Sequence, residues 1–279
     1  MSRTSFAPGK IILSGEYAVL FGYQGLAVPS SPGVQAVFEE DAVSGGIDID
    51  WKGGEMWQPY LEKIVGLCQK KNPELSGTLR IHTDLPLGKG MGSSTALIVA
   101  VTRVLLAEDS RVAALEIEDA LNPGHSGLDF AVIWENAPVL FTKGIDPQRI
   151  DVSPGLLRGA ILVDTGFPGE STTELVAWMR SREHEIKEPL EVIGTCTRRL
   201  AQGEPLPLVM REHNKAQTAL GVVPPEVRDM IAAIEQIDGA AKVIGAGSRT
   251  GGAGMVLALG NPEEILSIAH GNNMSTISL

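Results

Sequence analysis

From Asp84 to Ala96 the chain reads DLPLGKGMGSSTA: Gly88, Gly90 and Gly92 alternate, Ser93 and Ser94 follow, and an apolar run begins. Glycine is costly to order and belongs where a backbone turns tightly or lets something approach. Bare N–H groups leading into a helix N-terminus stabilise an anion, and phosphate is one such anion. A hydroxyl at that point can cap the helix or hold a metal that travels with the phosphate. Read on its own, the stretch is equally a Gly-rich turn with an ordinary Ser cap. It is not a Walker loop, because GxxxxGK[ST] is absent and Lys89 precedes the serines.

Other charged residues are ambiguous alone. Asp129, in SGLD, reads as a turn former, and Lys10, in PGK, as a solvated charge at the start of a strand. Glu118 sits beside Glu116 and Asp119 on an acidic helix. The five histidines show no metal spacing, with His125 set apart only by its neighbour Ser126. Cys68 and Cys196 form no CxxC pair, which fits a reducing cytosol and argues against structural zinc.

Those residues need a scaffold, and composition bounds it. The 279 residues are 43% hydrophobic and 20% charged, the profile of a globular protein large enough for two lobes. A net charge of −11 disfavours nucleic acid as a partner. The longest apolar run, Ala96 to Ala107, falls short of the ~20 residues of a membrane span. The start MSRTSFAPGK has no apolar signal core, so a cytoplasmic location without a membrane partner is expected.

Pattern and turn signals predict strands at Lys10–Leu13, Gly33–Glu39, Leu79–Thr83 and Ala137–Phe141, with helices at Ser94–Leu106 and Arg111–Leu121. The turn-rich stretch Gly144–Gly155, with Pro147 and Pro154, is the expected boundary between lobes 1–150 and 151–279. Beyond it, strands are expected at Ala160–Asp164, Lys242–Gly245, Met255–Leu259 and Thr276–Leu279. Thr172–Leu200 reads as broadly helical, and Pro224–Gln236 and Pro262–Ala269 as helices. Without the central helices, the order is strand, helix, strand, strand, helix, strand, the split βαβ plan of a ferredoxin-like lobe.

PLGKGMGSSTA resembles the nucleotide loop of the GHMP kinases. APGKIILSGEYAVLFG near the N-terminus resembles that family's first motif, and KVIGAGSRTGGAGMVLAL its third. Within the family, PGKIILSGEY followed by VLFG, GHSGLDFAV, GESTTELVAWMR and EHNKAQTALGVVPPEV resemble the mevalonate kinase branch. The resemblance implies an α+β, two-lobed GHMP kinase fold, with an N-terminal ribosomal-protein-S5-like α/β lobe and a C-terminal ferredoxin-like lobe. It further implies an enzyme that uses ATP and Mg2+ to phosphorylate a small hydroxy acid, mevalonate first and phosphomevalonate as the alternative, and that is a monomer or homodimer.

Residue by residue, the resemblance implies that Pro86, Gly88, Lys89, Gly90, Met91, Gly92, Ser93, Ser94 and Thr95 bind ATP. Asp129 is then the base or orienting group at the acceptor hydroxyl, and Lys10 its partner, reaching the γ-phosphate. Ser94 and Glu118 hold the metal. Glu118 lies eleven residues before Asp129, a separation that the mevalonate kinases share. Glu16, Tyr17, Ser126, Thr172, Gly245, Ala246 and Gly247 join Lys10 and Asp129 at the acceptor.

The chain also departs from the family. Tyr17 replaces a usual histidine, as in bacterial phosphomevalonate kinases. The segment from Ala96 to Glu118 is short, and Ser248–Thr250 is an apparent insertion expected to loosen or re-aim the closing loop. Lys89 stands where a small residue is common, either contacting a substrate oxygen or pointing into solvent. A catalytically silent sensor of the same fold is the alternative of another class, although it has no need of Lys10, Ser94, Glu118 and Asp129 together.

Overall fold

The computed structural model describes residues 2–41, 45–107, 110–153 and 155–279, so Pro154 of the expected boundary lies outside the described residues. The chain opens with a long antiparallel pair, β1 (Ser2–Ser14) against β2 (Gly25–Glu40). The expected strands Lys10–Leu13 and Gly33–Glu39 are parts of these two. Pro29 and Pro32 do not interrupt β2: Pro32 falls in the bulge where the register shifts at Pro8/Gly9, and Pro29 sits opposite Lys10, whose N–H points away from β2 to the Met91 carbonyl.

β3 (Ile47–Trp51) runs parallel to β4 (Gly77–Thr83), with α1 (Gln58–Lys71) crossing between them. β4 pairs with the far end of β2, and β5 (Val139–Phe141) pairs with its near end. A two-residue strand, β6 (Gln148–Arg149), closes this six-stranded sheet.

Helices α2 (Ser93–Leu106), α3 (Arg111–Leu121) and α4 (Leu128–Glu135) follow the glycine loop in sequence. Ala96 through Val101 of α2 are all fully buried, as a helix apolar on every side requires. It packs on β1 and β2 and anchors the loop that precedes it. Truncating Leu97 to Ala in this core should cost about 2–5 kcal/mol.

The second sheet contains β7 (Ile161–Asp164), β8 (Ala240–Val243), β9 (Met255–Leu259) and β10 (Ser275–Ser278) in the order β10-β7-β9-β8, all antiparallel. This is the ferredoxin-like order. The stretch Thr172–Leu200 is not one helix. It divides into α5 (Thr172–Ser181), begun by a Ser171/Glu174 capping box, and α6 (Lys187–Ala201). α7 (Leu206–Leu220) then runs beside α6, ahead of α8 (Pro225–Gln236) and α9 (Pro262–Gly271).

β3, α1, α4, β6 and α7 have no counterpart in the expected pattern. The first is a short, half-exposed strand. α7 buries His213, Asn214 and Gln217 along with its apolar residues, which blurs the apolar stripe. No helix among the described residues is long and apolar enough to cross a membrane.

Candidate active site

The glycine loop comes first because its backbone leaves little choice of residue. Gly88, Gly90 and Gly92 have φ of 71°, 82° and 76°, the left-handed region that side chains disfavour. Space is also short: a Cβ on Gly92 would lie 2.9 Å from Lys10 Cγ, and one on Gly245 would lie 2.8 Å from the Cα of Gly90. The first, second and third motifs therefore meet as nearly bare backbone. Gly88 N donates to Ser93 Oγ at 3.0 Å, which folds the loop back onto the start of α2.

Beside the loop lies a cleft of about 480 Å³, walled by both sheets' loops and by the starts of α2, α4 and α5. Lys10, Gly88, Gly90, Gly92, Ser93, Ser94, Thr95, Glu118, Ser126, Asp129, Thr172, Gly245 and Ala246 all line it. Lys10 leaves β1 almost fully buried, and its Nζ lies 3.4 Å from Asp129 Oδ1 and donates to the Ile244 carbonyl at 3.3 Å. Asp129 sits in the first turn of α4, behind Gly127 with φ 92°, and its side chain stays 37% exposed to the cleft. The pair thus combines a sealed cation with an accessible carboxylate.

Glu118 is buried on α3. Its Oε1 accepts from Thr95 Oγ1 at 2.9 Å and Asn122 Nδ2 at 3.0 Å, while its Oε2 has no partner. Burial pushes its carboxyl above the usual range, and His125 and these hydrogen bonds oppose that only in part. An orphaned, desolvated carboxylate oxygen on a cleft wall suits a hard cation. Ser94 lines the same wall, so the two expected ligands fit Mg2+. Among the described residues there is no cluster of three or more His, Cys, Asp or Glu for a metal, so phosphates and water would complete its shell. Glu116, by contrast, turns outward to Lys71.

Glu16 reaches the cleft only at its base. Its carboxylate is held by the Lys242 ammonium, and His213 Nε2 lies 3.0 Å from its other oxygen, poorly aligned for a hydrogen bond. Burial would raise the Glu16 carboxyl, but Lys242 and His213 outweigh it and hold it down at about 2. Lys242 also donates to the carbonyls of Ile12 at 3.0 Å and Val243 at 2.7 Å. Burial lowers its pKa despite Glu16; with every ammonium proton accepted, the charged pair is the state the geometry supports. Burial pushes the His213 imidazole below its ordinary value, with Glu16 opposing. Glu16 therefore joins the lobes as well as facing the cleft.

Tyr17, with φ 61°, donates its hydroxyl to the Ala246 carbonyl, tying the first motif to the third. Burial and the nearby charges of Glu16 and Glu170 raise its pKa.

Four expected residues do not line the cleft. Met91 is fully buried and offers only its carbonyl, which accepts from Lys10 N at 2.9 Å. Pro86 stands half-buried at the loop entrance. Gly247, with φ 65°, is pressed against the Val222 carbonyl, and Ser248 N donates to the same oxygen at 3.0 Å. Lys89 neither enters the cleft nor points into solvent: its Nζ lies 3.0 Å from Asp164 Oδ1 and 3.7 Å from the centre of the Phe167 ring. Its carbonyl accepts from Met255 N at 2.9 Å, so the phosphate loop is bound to the second sheet.

Of the two expected effects of the insertion at Ser248–Thr250, loosening is not what the structure shows, because the segment is pinned. Glu170 accepts from Ser248 Oγ at 2.5 Å, Arg249 N at 3.0 Å and Thr250 Oγ1 at 3.3 Å. Sequence reasoning missed Glu170, Lys242, Asn122 and the Lys89 partners. Glu170 and Lys242 lie inside the quoted GESTTELVAWMR and KVIGAGS segments, but their partners are distant in sequence.

Comparison with known proteins agrees with this architecture. Residues 59–133 match the GHMP kinases N terminal domain. The mevalonate kinase of Archaeoglobus fulgidus is 28% identical over 86% of this chain and 88% of its own. The Methanococcus jannaschii mevalonate kinase structure superposes with a TM-score of 0.82 at 17% identity, covering 99% of this chain and 97% of the other. The L. major mevalonate kinase in complex with R-mevalonate gives 0.74 at 17% identity, covering 96% and 90%. These two show a shared fold. With the motif-bearing domain, a relative spanning most of the length and the same two-sheet architecture all in agreement, the chain is similar to the GHMP kinases and, among them, to mevalonate kinases.

Proposed function

We propose that this protein transfers the γ-phosphoryl group of ATP to the primary hydroxyl of a small hydroxy acid, with mevalonate as acceptor and 5-phosphomevalonate as product. The observation that carries this reading is the Lys10–Asp129 pair, which faces the same cleft as the glycine loop. A primary alcohol is too weak an acid to ionise at neutral pH. It must be held in line while its proton is accepted during a loose transition state.

Asp129 supplies the exposed acceptor oxygen for that proton. Lys10, fixed between Asp129 and the Ile244 carbonyl, stabilises charge on the transferring oxygens. The loop N–H groups beyond Gly88, whose own N–H is taken by Ser93 Oγ, and the N-terminus of α2 bind the ATP phosphates. Glu118 and Ser94 would hold Mg2+, which would supply charge neutralisation at the nucleotide phosphates. Tyr17, Ser126, Thr172, Gly245 and Ala246 shape the acceptor end.

ADP release should be measured with mevalonate, 5-phosphomevalonate and no acceptor. The expected result is turnover with mevalonate. ATP binding without ADP release on any hydroxy acid would favour the silent sensor instead.

A further inference from the structure

Besides Tyr17, six ionisable side chains among the described residues line the cleft: Lys10, Glu16, Glu118, His125, Asp129 and Glu170. Five have a partner or an assigned role. Lys10 faces Asp129, Glu16 faces Lys242, and His125 Nε2 lies 2.7 Å from Asp119 Oδ1. Glu118 has its free oxygen for a metal.

Glu170 differs: among the described residues it has no ion pair, and its donors are Ser248 Oγ, Arg249 N and Thr250 Oγ1. Burial alone would raise its carboxyl, but these hydrogen bonds lower it below the usual range. They also fix it on the wall built by residues 167–173, close enough to Tyr17 for its charge to be felt at that hydroxyl. The only basic side chains on the cleft walls among the described residues are Lys10 and His125.

We propose that Glu170 is a specificity-determining residue that screens by charge, admitting an acceptor with a single carboxylate and disfavouring one that already carries a phosphate. The inference rests on the kinase reading above. A phosphate adds almost two negative charges at neutral pH. Close to an unneutralised carboxylate in a half-open cleft, that excess repulsion amounts to about a tenfold loss of affinity. The same repulsion helps to expel the phosphorylated product.

The test is calorimetric titration of wild type, Glu170→Gln and Ser248→Ala with mevalonate and with 5-phosphomevalonate. Wild type should bind mevalonate the more tightly. Glu170→Gln keeps the size and one acceptor oxygen, and should tighten 5-phosphomevalonate about tenfold while moving mevalonate less than threefold, an effect that shrinks in high salt. Ser248→Ala, which loosens the clasp but keeps the charge, should leave the ratio of the two affinities unchanged. The charge screen is overturned if wild type shows no preference, if Glu170→Gln leaves the ratio alone, or if Ser248→Ala reproduces the shift. Mevalonate turnover by wild type is scored separately: its absence alongside intact binding overturns the reaction and not the screen.

Discussion

Two lysine–carboxylate pairs stand close together where the sheets meet, and they differ in one respect. Lys10–Asp129 and Lys242–Glu16 each join a buried ammonium to a carboxylate, yet the Asp129 side chain is 37% exposed and that of Glu16 only 2%. An open carboxylate can meet a ligand, whereas a sealed one can only hold its partner. Exposure, more than residue type, separates a reaction centre from a rivet.

Asp129→Asn gives the largest expected effect on this contrast. Turnover should fall by several orders of magnitude, with ATP binding nearly intact in an equilibrium titration. Retention of more than about a tenth of the activity, a barrier change under roughly 1.4 kcal/mol, would remove Asp129 from the centre. Lys10→Met should also be severe, and because the two act as one unit the double variant should be little worse than the worse single.

The sealed pair should respond in stability. Lys242→Met leaves Glu16 buried without its cation and should cost about 3–5 kcal/mol in denaturant unfolding, part of which Glu16→Gln added to it should restore. Glu16 also predicts a pH dependence. Its folded pKa, about 2, lies below the ordinary 4.5, so its contribution is present above 4.5 and is lost as pH falls toward 2. Over that window wild type should lose more stability than Glu16→Gln. Parallel unfolding curves would show that the pair contributes nothing net.

A smaller contrast lies on α3. Glu118→Gln should weaken the Mg2+ dependence of turnover tenfold or more, while Glu116→Gln, altering a surface pair with Lys71, should change it less than twofold. Equal effects would mean that the unpartnered Glu118 oxygen is not a ligand. The smallest effect belongs to Lys89. Asp164→Asn and Lys89→Met should each raise the KM for ATP several-fold and leave that for the acceptor alone, since both remove the side-chain tie of the phosphate loop to the second sheet and leave only the Met255 N to Lys89 carbonyl bond. A rise in Lys89→Met alone would mean that Lys89 meets a phosphate directly.

Local chemistry was the legible part. The helix after the glycine loop, the four strands of the second sheet and the positions needing left-handed glycine follow from apolar period and from glycine's missing Cβ. The break between α5 and α6 was harder, because residues on both sides are good helix formers and the turn at 182–186 is held by local bonds such as Glu185 N to the Arg182 carbonyl. α7 was hidden by its buried polar residues. Gln217 Nε2 donates to the Val243 carbonyl at 3.0 Å, a partner that no pattern along the helix reveals.

By itself the sequence determined the bare-backbone loop and the alternation that builds the ferredoxin-like sheet, while Lys10, Glu118 and Asp129 stood out only through the family resemblance. The loop and the alternation each depend on residues close along the chain. Only the tertiary structure decided that Lys89 leaves the cleft for Asp164, that Glu16 is sealed by Lys242 while Asp129 stays open, and that Glu170 pins the insertion at Ser248–Thr250. Those outcomes turn on charges between 75 and 226 residues apart, or 78 for the Glu170 clasp. Whether a charge acts or merely holds depends on the burial and partners that folding alone supplies.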